Sequence, residues 1–124
     1  MLRESKAFSG FATDDLDAAQ AFYGDTLGLN VERWDEQLLA LHLAGGRDTL
    51  VYAKPDFVPA TYTILNFPVA DVEATVKELA SRGVTFERYD GFDQDEHGIN
   101  RGEGPAIAWF KDPAGNILSV LEEQ

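Results

Sequence analysis

Apolar and polar positions alternate along the chain with two periods, and the switches between them lay out the elements. Lys6 to Thr13 reads as a strand, with Phe8 and Phe11 set among small residues. Asp14-Asp15 supply an N-cap and early negative charge, and Leu16, Ala19, Phe22 and Tyr23 then fall at helical spacing. Gly28 closes that helix in the usual position just past the end. Leu29 to Trp34, Leu38 to Leu43 and Thr49 to Ala53 are three further strands, the last two joined by the turn residues Gly45-Gly46-Arg47-Asp48. Pro55 and Pro59 bracket a linker.

The pattern then begins again. Tyr62 to Val69 is a strand, Asp71 caps a second helix striped by Val72, Val76 and Leu79, and Gly83 ends it. Val84 to Tyr89, Ala106 to Lys111 and Ile117 to Leu121 are strands, the last two joined by Asp112-Pro113-Ala114-Gly115-Asn116, whose order suits a tight hairpin. The halves align in order: Asp15-Leu16-Asp17-Ala18 matches Asp71-Val72-Glu73-Ala74, and Leu27-Gly28-Leu29 matches Arg82-Gly83-Val84. Two matches in register point to a duplicated unit, each copy needing company to bury its sheet. The expected fold is therefore α+β. Two tandem βαβββ modules, 5–54 and 61–122, form one domain over 1–124, a curved mixed sheet around a cavity with helices outside.

Strand alternation separates the two faces. Leu39, Leu41 and Leu43 share one face of their strand, and Leu38, Ala40 and His42 share the other. With the leucines assigned to the helix, His42 faces inward. By the same rule Leu65, Phe67, Leu118 and Val120 go under the second helix, while Ile64, Asn66, Ile117, Ser119 and Leu121 face the cavity. Phe8, Tyr52, Ile107 and Trp109 are further inward candidates. Such a surface is mostly apolar with a few polar groups, as small-molecule sites tend to be.

Composition narrows the function. The chain has 124 residues, 44% of them apolar, which is enough for one core. No apolar run approaches the roughly 20 residues of a spanning helix. Met1 to Lys6 carries no apolar stretch or cleavage site, so no signal peptide is expected. With no cysteine there is no disulfide, thiolate nucleophile or sulfur metal site, and a cytoplasmic location is the simplest expectation. A net charge of −12 repels phosphate backbones and anionic lipids, so neither nucleic acid nor membrane is an expected partner.

Asp14-Asp15-Leu16-Asp17-Ala18-Ala19, then Phe22-Tyr23 and Leu27-Gly28-Leu29, resemble the first-module signature of the vicinal oxygen chelate superfamily. This group includes glyoxalase I, bleomycin-resistance proteins and extradiol dioxygenases. Phe110-Lys111-Asp112-Pro113-Ala114-Gly115-Asn116 resembles the second-module signature. The resemblance implies a homodimer. It also implies, in the enzymes, a divalent metal held by His, Gln or Glu on the inner face. Here the implied ligand positions fall on Phe8, Ile64 and Ser119, with the fourth near Val51 or Tyr52, and none of these is a good ligand.

The leading expectation is thus a small-molecule-binding protein without the family's metal or another cofactor, similar to the bleomycin-resistance branch. A second reading is a metal-dependent lyase or dioxygenase with a displaced site using His42 and acidic loop residues. A third is a protein-interaction module with a vestigial pocket. His42 is the one candidate for proton transfer or for a polar anchor. Tyr52 and Trp109 are candidates to stack on a planar ligand, and Asn66 must find polar partners on an apolar strand. The long polar segment from Asp90 to Pro105 is either a solvated loop or a lid carrying Arg101 and Glu103. Its Asp93 to Gly98 partly mimics a calcium loop. However, the fifth and twelfth positions are His97 and Gly104 and no helices flank it, which excludes that site.

Overall fold

The structure is a computed structural model that describes residues 1–102 and 104–123. The chain divides into two compact units, Met1–Val58 and Pro59–Gln124.

In the first unit β1 (Gly10–Thr13), α1 (Leu16–Ala21), β2 (Asn30–Arg33), β3 (Leu38–His42) and β4 (Asp48–Ala53) follow a short 3-10 turn at Leu2–Glu4. The sheet order is β1-β4-β3-β2, with β1 parallel to β4 and the other pairs antiparallel. The Asp15 side chain caps α1 by accepting from the Ala18 amide at 3.0 Å. Past Ala21 the helix widens into a π turn, Phe22–Thr26, which sets the fully buried Tyr23 against Phe11 and Phe22. Gly28 then turns the chain at φ 75°, a conformation costly for a residue with a Cβ. Leu39, Leu41 and Val51 are fully buried on the α1 side of the sheet with Leu16 and Ala19.

In the second unit β5 (Thr63–Val69), α2 (Val72–Ser81), β6 (Ile107–Lys111) and β7 (Ile117–Glu122) give a sheet of order β5-β7-β6, with β5 parallel to β7. Asp71 caps α2 through the Ala74 amide at 3.0 Å, the same device at the matching position of the repeat. Val72, Val76 and Leu79 are buried. α2 lies on β6 and β7, where Ala108, Phe110, Leu118 and Val120 are buried. Each large aliphatic side chain so buried contributes roughly 1.5–3 kcal/mol of transfer free energy. Asp112 organises the β6–β7 turn: one carboxylate oxygen accepts from the Ala114 and Asn116 amides and the other from the Asn116 side chain.

Two departures from the sequence reading are local. The expected strand Val84–Tyr89 is only a single bridge, Phe86 to Phe110, with the Glu87 amide donating to the Trp109 carbonyl at 2.8 Å. Beyond it the chain leaves the sheet because the Tyr89 amide turns to the Gln94 side chain instead of a ladder partner. The first strand is also shorter than expected, and Lys6 and Phe8 lie ahead of it. Among the described residues no helix is long and apolar enough to cross a membrane.

Candidate functional site

In each unit one sheet face carries the helix, and the opposite face carries most of the candidate site residues. On the first unit's free face, register sets His42 directly between two strands: opposite Asn30 on β2 and opposite Asp48 on β4. Its Nδ1 lies 2.9 Å from the Asp48 carboxylate and its Nε2 lies 2.9 Å from Glu32. A neutral imidazole would turn a lone pair toward one of these carboxylates. An imidazolium instead donates to both, and Asp48 and then Glu32 raise the His42 pKa above 6.5. With both nitrogens committed, the ring bridges β2 and β4.

The same face bears Tyr52, 44% exposed and opposite Leu38 on β3. Phe8 is 63% exposed and lines a hollow of about 260 Å³ with Lys6, Trp34, Gly46, Arg47, Asp48 and Leu50. Tyr52 does not line it.

On the second unit's free face, Asn66, Ser119 and Trp109 form one row across β5, β7 and β6. Ser119 is fully buried and its hydroxyl donates to the Asn66 amide oxygen at 2.6 Å. Next to this row Trp109 packs on Phe92 with ring centroids 5.2 Å apart and on Tyr89 at 5.6 Å, and Tyr89 meets Phe92 at 5.9 Å. These three rings, with Thr61, Tyr62, Thr63 and Ile117, line a hollow of about 450 Å³. The Tyr89 hydroxyl is buried with no hydrogen-bond partner among the described residues, and burial, then Glu87, raises its pKa.

Ile64 does not line this hollow. A bulge between Thr63 and Leu65 pairs Thr63 with Ile117 and Leu65 with Leu118, leaving Ile64 without a register partner. Thr63 takes the inward position that simple alternation gives to Ile64. Arg101 binds Glu73 of α2 at 3.1 Å and Asp95 at 3.3 Å, so its guanidinium ties the long segment to the helix. Glu103 lies outside the described residues.

The segment after Tyr89 is held from within. The Gln94 amide donates to the Glu87 and Gly98 carbonyls, and Ile99 is buried to 1% exposure. Burial pushes the Asp95 carboxyl up, but the Ile99 and His97 amides and Arg101 outweigh it and hold it below the usual range.

The positions that the family resemblance marks for metal do not form a donor set. Phe8 and Ile64 have no donor atoms, Ser119 spends its hydroxyl on Asn66, and Tyr52 is phenolic. The carboxylates around His42 sit on opposite ring nitrogens, so they do not converge on one point. Among the described residues no three His, Asp or Glu side chains are grouped to hold a metal ion.

Tyr89, Phe92 and Thr63 are among the lining residues that sequence reading misses, as are Thr61 and Tyr62. The first two lie where a strand and a solvated loop are expected, and Thr63 is placed by a bulge that alternation does not announce. Two helix-backed mixed sheets, repeated along one chain with the same cap at each helix start, define a duplicated α+β scaffold. The chain belongs to the Glyoxalase/Bleomycin resistance protein/Dioxygenase superfamily, whose family model matches residues 8–120.

Solved structures share the fold. An antibiotic-binding protein from Streptomyces sp. CB03234 superposes with a TM-score of 0.73 at 20% identity, covering 94% of this chain and 93% of its own. A bleomycin-binding protein complexed with bleomycin gives 0.71 at 21% identity over 97% and 99%. A glyoxalase family protein from Enterococcus faecalis gives 0.71 at 21% identity over 98% and 100%. No protein of curated function matches the sequence.

Proposed function

We propose that this protein binds a planar small molecule in the aromatic hollow of its second unit, and does so without a metal. The observation that carries the reading is the Tyr89–Phe92–Trp109 cluster beside an open space of about 450 Å³. That volume lies within the roughly 300–1,000 Å³ of small-molecule sites. Phe92 and Tyr62 remain substantially exposed there, at 49% and 70%. Exposed rings grouped around a hollow offer faces on which a planar ligand stacks, worth roughly 0.5–1.5 kcal/mol per ring pair beyond the area buried. Thr61 and Thr63 add hydroxyls at its edge. The antibiotic-binding and bleomycin-binding structures of the same fold support a binding role, as does the lack of a donor set at the marked positions.

The test is a titration of metal-depleted protein with neutral planar heteroaromatics such as lumiflavin and acridone, followed by calorimetry, with Trp109→Ala as the control. Saturable binding that Trp109→Ala weakens at least about tenfold is the expected result. Binding indifferent to Trp109 contradicts the proposal. We further propose a homodimer, which light scattering tests: a particle of twice the chain mass is expected, and a monomer at all concentrations contradicts it.

A further inference from the structure

The hollow on the first unit's sheet has a chemistry that the reading above does not use. Lys6 and Arg47 both line it, and among the described residues neither side chain makes an ion pair. In a chain with 22 acidic and 10 basic residues most of the cations find a carboxylate. Arg33, Lys54, Lys77, Arg82, Arg101 and Lys111 do so, whereas Arg3 and Arg88, like Lys6 and Arg47, make no ion pair among the described residues; Lys6 and Arg47 share one hollow.

The acid that lines the hollow has another partner. Asp48 is the acidic residue lining the hollow, and its Oδ1 lies 2.9 Å from the His42 Nδ1. Glu32, on the neighbouring strand, is held by the other ring nitrogen. Arg47 is presented by the turn between β3 and β4, where Gly46 adopts φ 100° and donates to the Leu43 carbonyl. Lys6 is brought beside β4 because the chain ahead of β1 runs along it, with the Leu50 amide donating to the Ser9 carbonyl at 3.1 Å.

Two rings complete the hollow. Phe8 is 63% and Trp34 48% exposed, although both belong to residue types that fold inward when they can. Leu50 supplies further apolar wall.

We propose that this hollow binds a small aromatic carboxylate, its ring against Phe8 and Trp34 and its carboxylate on Arg47 and Lys6. Arg47 supplies the planar fork that matches a carboxylate, and Lys6 supplies a second charge. The volume of about 260 Å³ limits the ligand to one or two rings. Every lining residue belongs to the first unit, so the inference stands or falls separately from the second unit's hollow.

The experiment uses the full chain carrying Trp109→Phe, which leaves Trp34 as its sole tryptophan. Its fluorescence is titrated with benzoate and with benzamide, the neutral amide of the same shape. The expected result is saturable quenching by benzoate, with benzamide about tenfold weaker. Arg47→Gln and Lys6→Gln should each weaken benzoate about fivefold and leave benzamide unchanged. Both side chains are at the surface, and circular dichroism checks that each variant stays folded. Equal affinity for the two probes, no saturable benzoate binding, or an unaltered benzoate affinity in both variants would overturn the proposal. Benzoate binding lost in a Trp34→Ala, Trp109→Phe double variant read by calorimetry would support the ring contact, and its full retention would count against it.

Discussion

The Ser119 hydroxyl donates to the Asn66 amide oxygen at 2.6 Å, linking the fully buried centre of β7 to an exposed position on β5. The pair is asymmetric. Asn66→Ala strands a buried donor, which costs about 1–3 kcal/mol. Ser119→Ala frees an amide that water can reach, and should cost less. Urea unfolding of the two single variants and the double variant checks this. The double variant should be no less stable than Asn66→Ala alone, and an additive loss would show that the hydroxyl has another role.

His42 should confer a pH-dependent stability. Its pKa is raised in the folded protein above 6.5, first by Asp48 and then by Glu32. Folding therefore favours the protonated ring. The stabilisation is fully present below the unfolded value near 6.5 and is lost as pH rises through the higher folded value. Urea midpoints of wild type and His42→Gln should differ most near pH 6 and converge in alkaline buffer. A gap that widens with rising pH would show that the neutral ring is the stabilising form.

The β6–β7 turn depends on Gly115, at φ 96° with an added Cβ only 3.2 Å from the Pro59 ring. Gly115→Ala meets both the left-handed penalty and that contact. A loss of about 1–2 kcal/mol is expected in thermal unfolding. An unchanged midpoint would mean that the turn relaxes to another conformation.

Much of this fold was legible in the chain because its signals are local. Asp15 and Asp71 cap their helices through amides three residues on, as their positions ahead of apolar stripes imply. Alternation assigns Asn66, Ser119 and Trp109 to one face of their strands, but the register sets them in one row. What was not legible depends on contacts distant in sequence or on breaks in regularity. The bulge at Ile64 leaves no composition cue, and it exchanges Ile64 for Thr63. Tyr89 and Phe92 join the site because Gln94 draws the chain out of the sheet through three hydrogen bonds. The carboxylates on His42 come from β2 and β4, and only register brings them together.

The buried Tyr89 hydroxyl, with no partner among the described residues, is a standing cost to the fold. Tyr89→Phe removes the unsatisfied group and keeps the ring against Trp109 and Phe92. Stability should rise by up to about 1 kcal/mol in chemical unfolding. A loss of similar size would reveal a polar partner for the hydroxyl in solution.

The central claim is that the second unit's aromatic hollow binds a planar molecule without a metal. It is tested most directly by Trp109 fluorescence in a Trp34→Phe variant, dialysed against chelator and titrated with lumiflavin and acridone. Saturable quenching by at least one of them is expected, unchanged when nickel, zinc, manganese or iron is restored. Quenching that appears only on adding a divalent metal, or no saturable quenching by either compound, would contradict it.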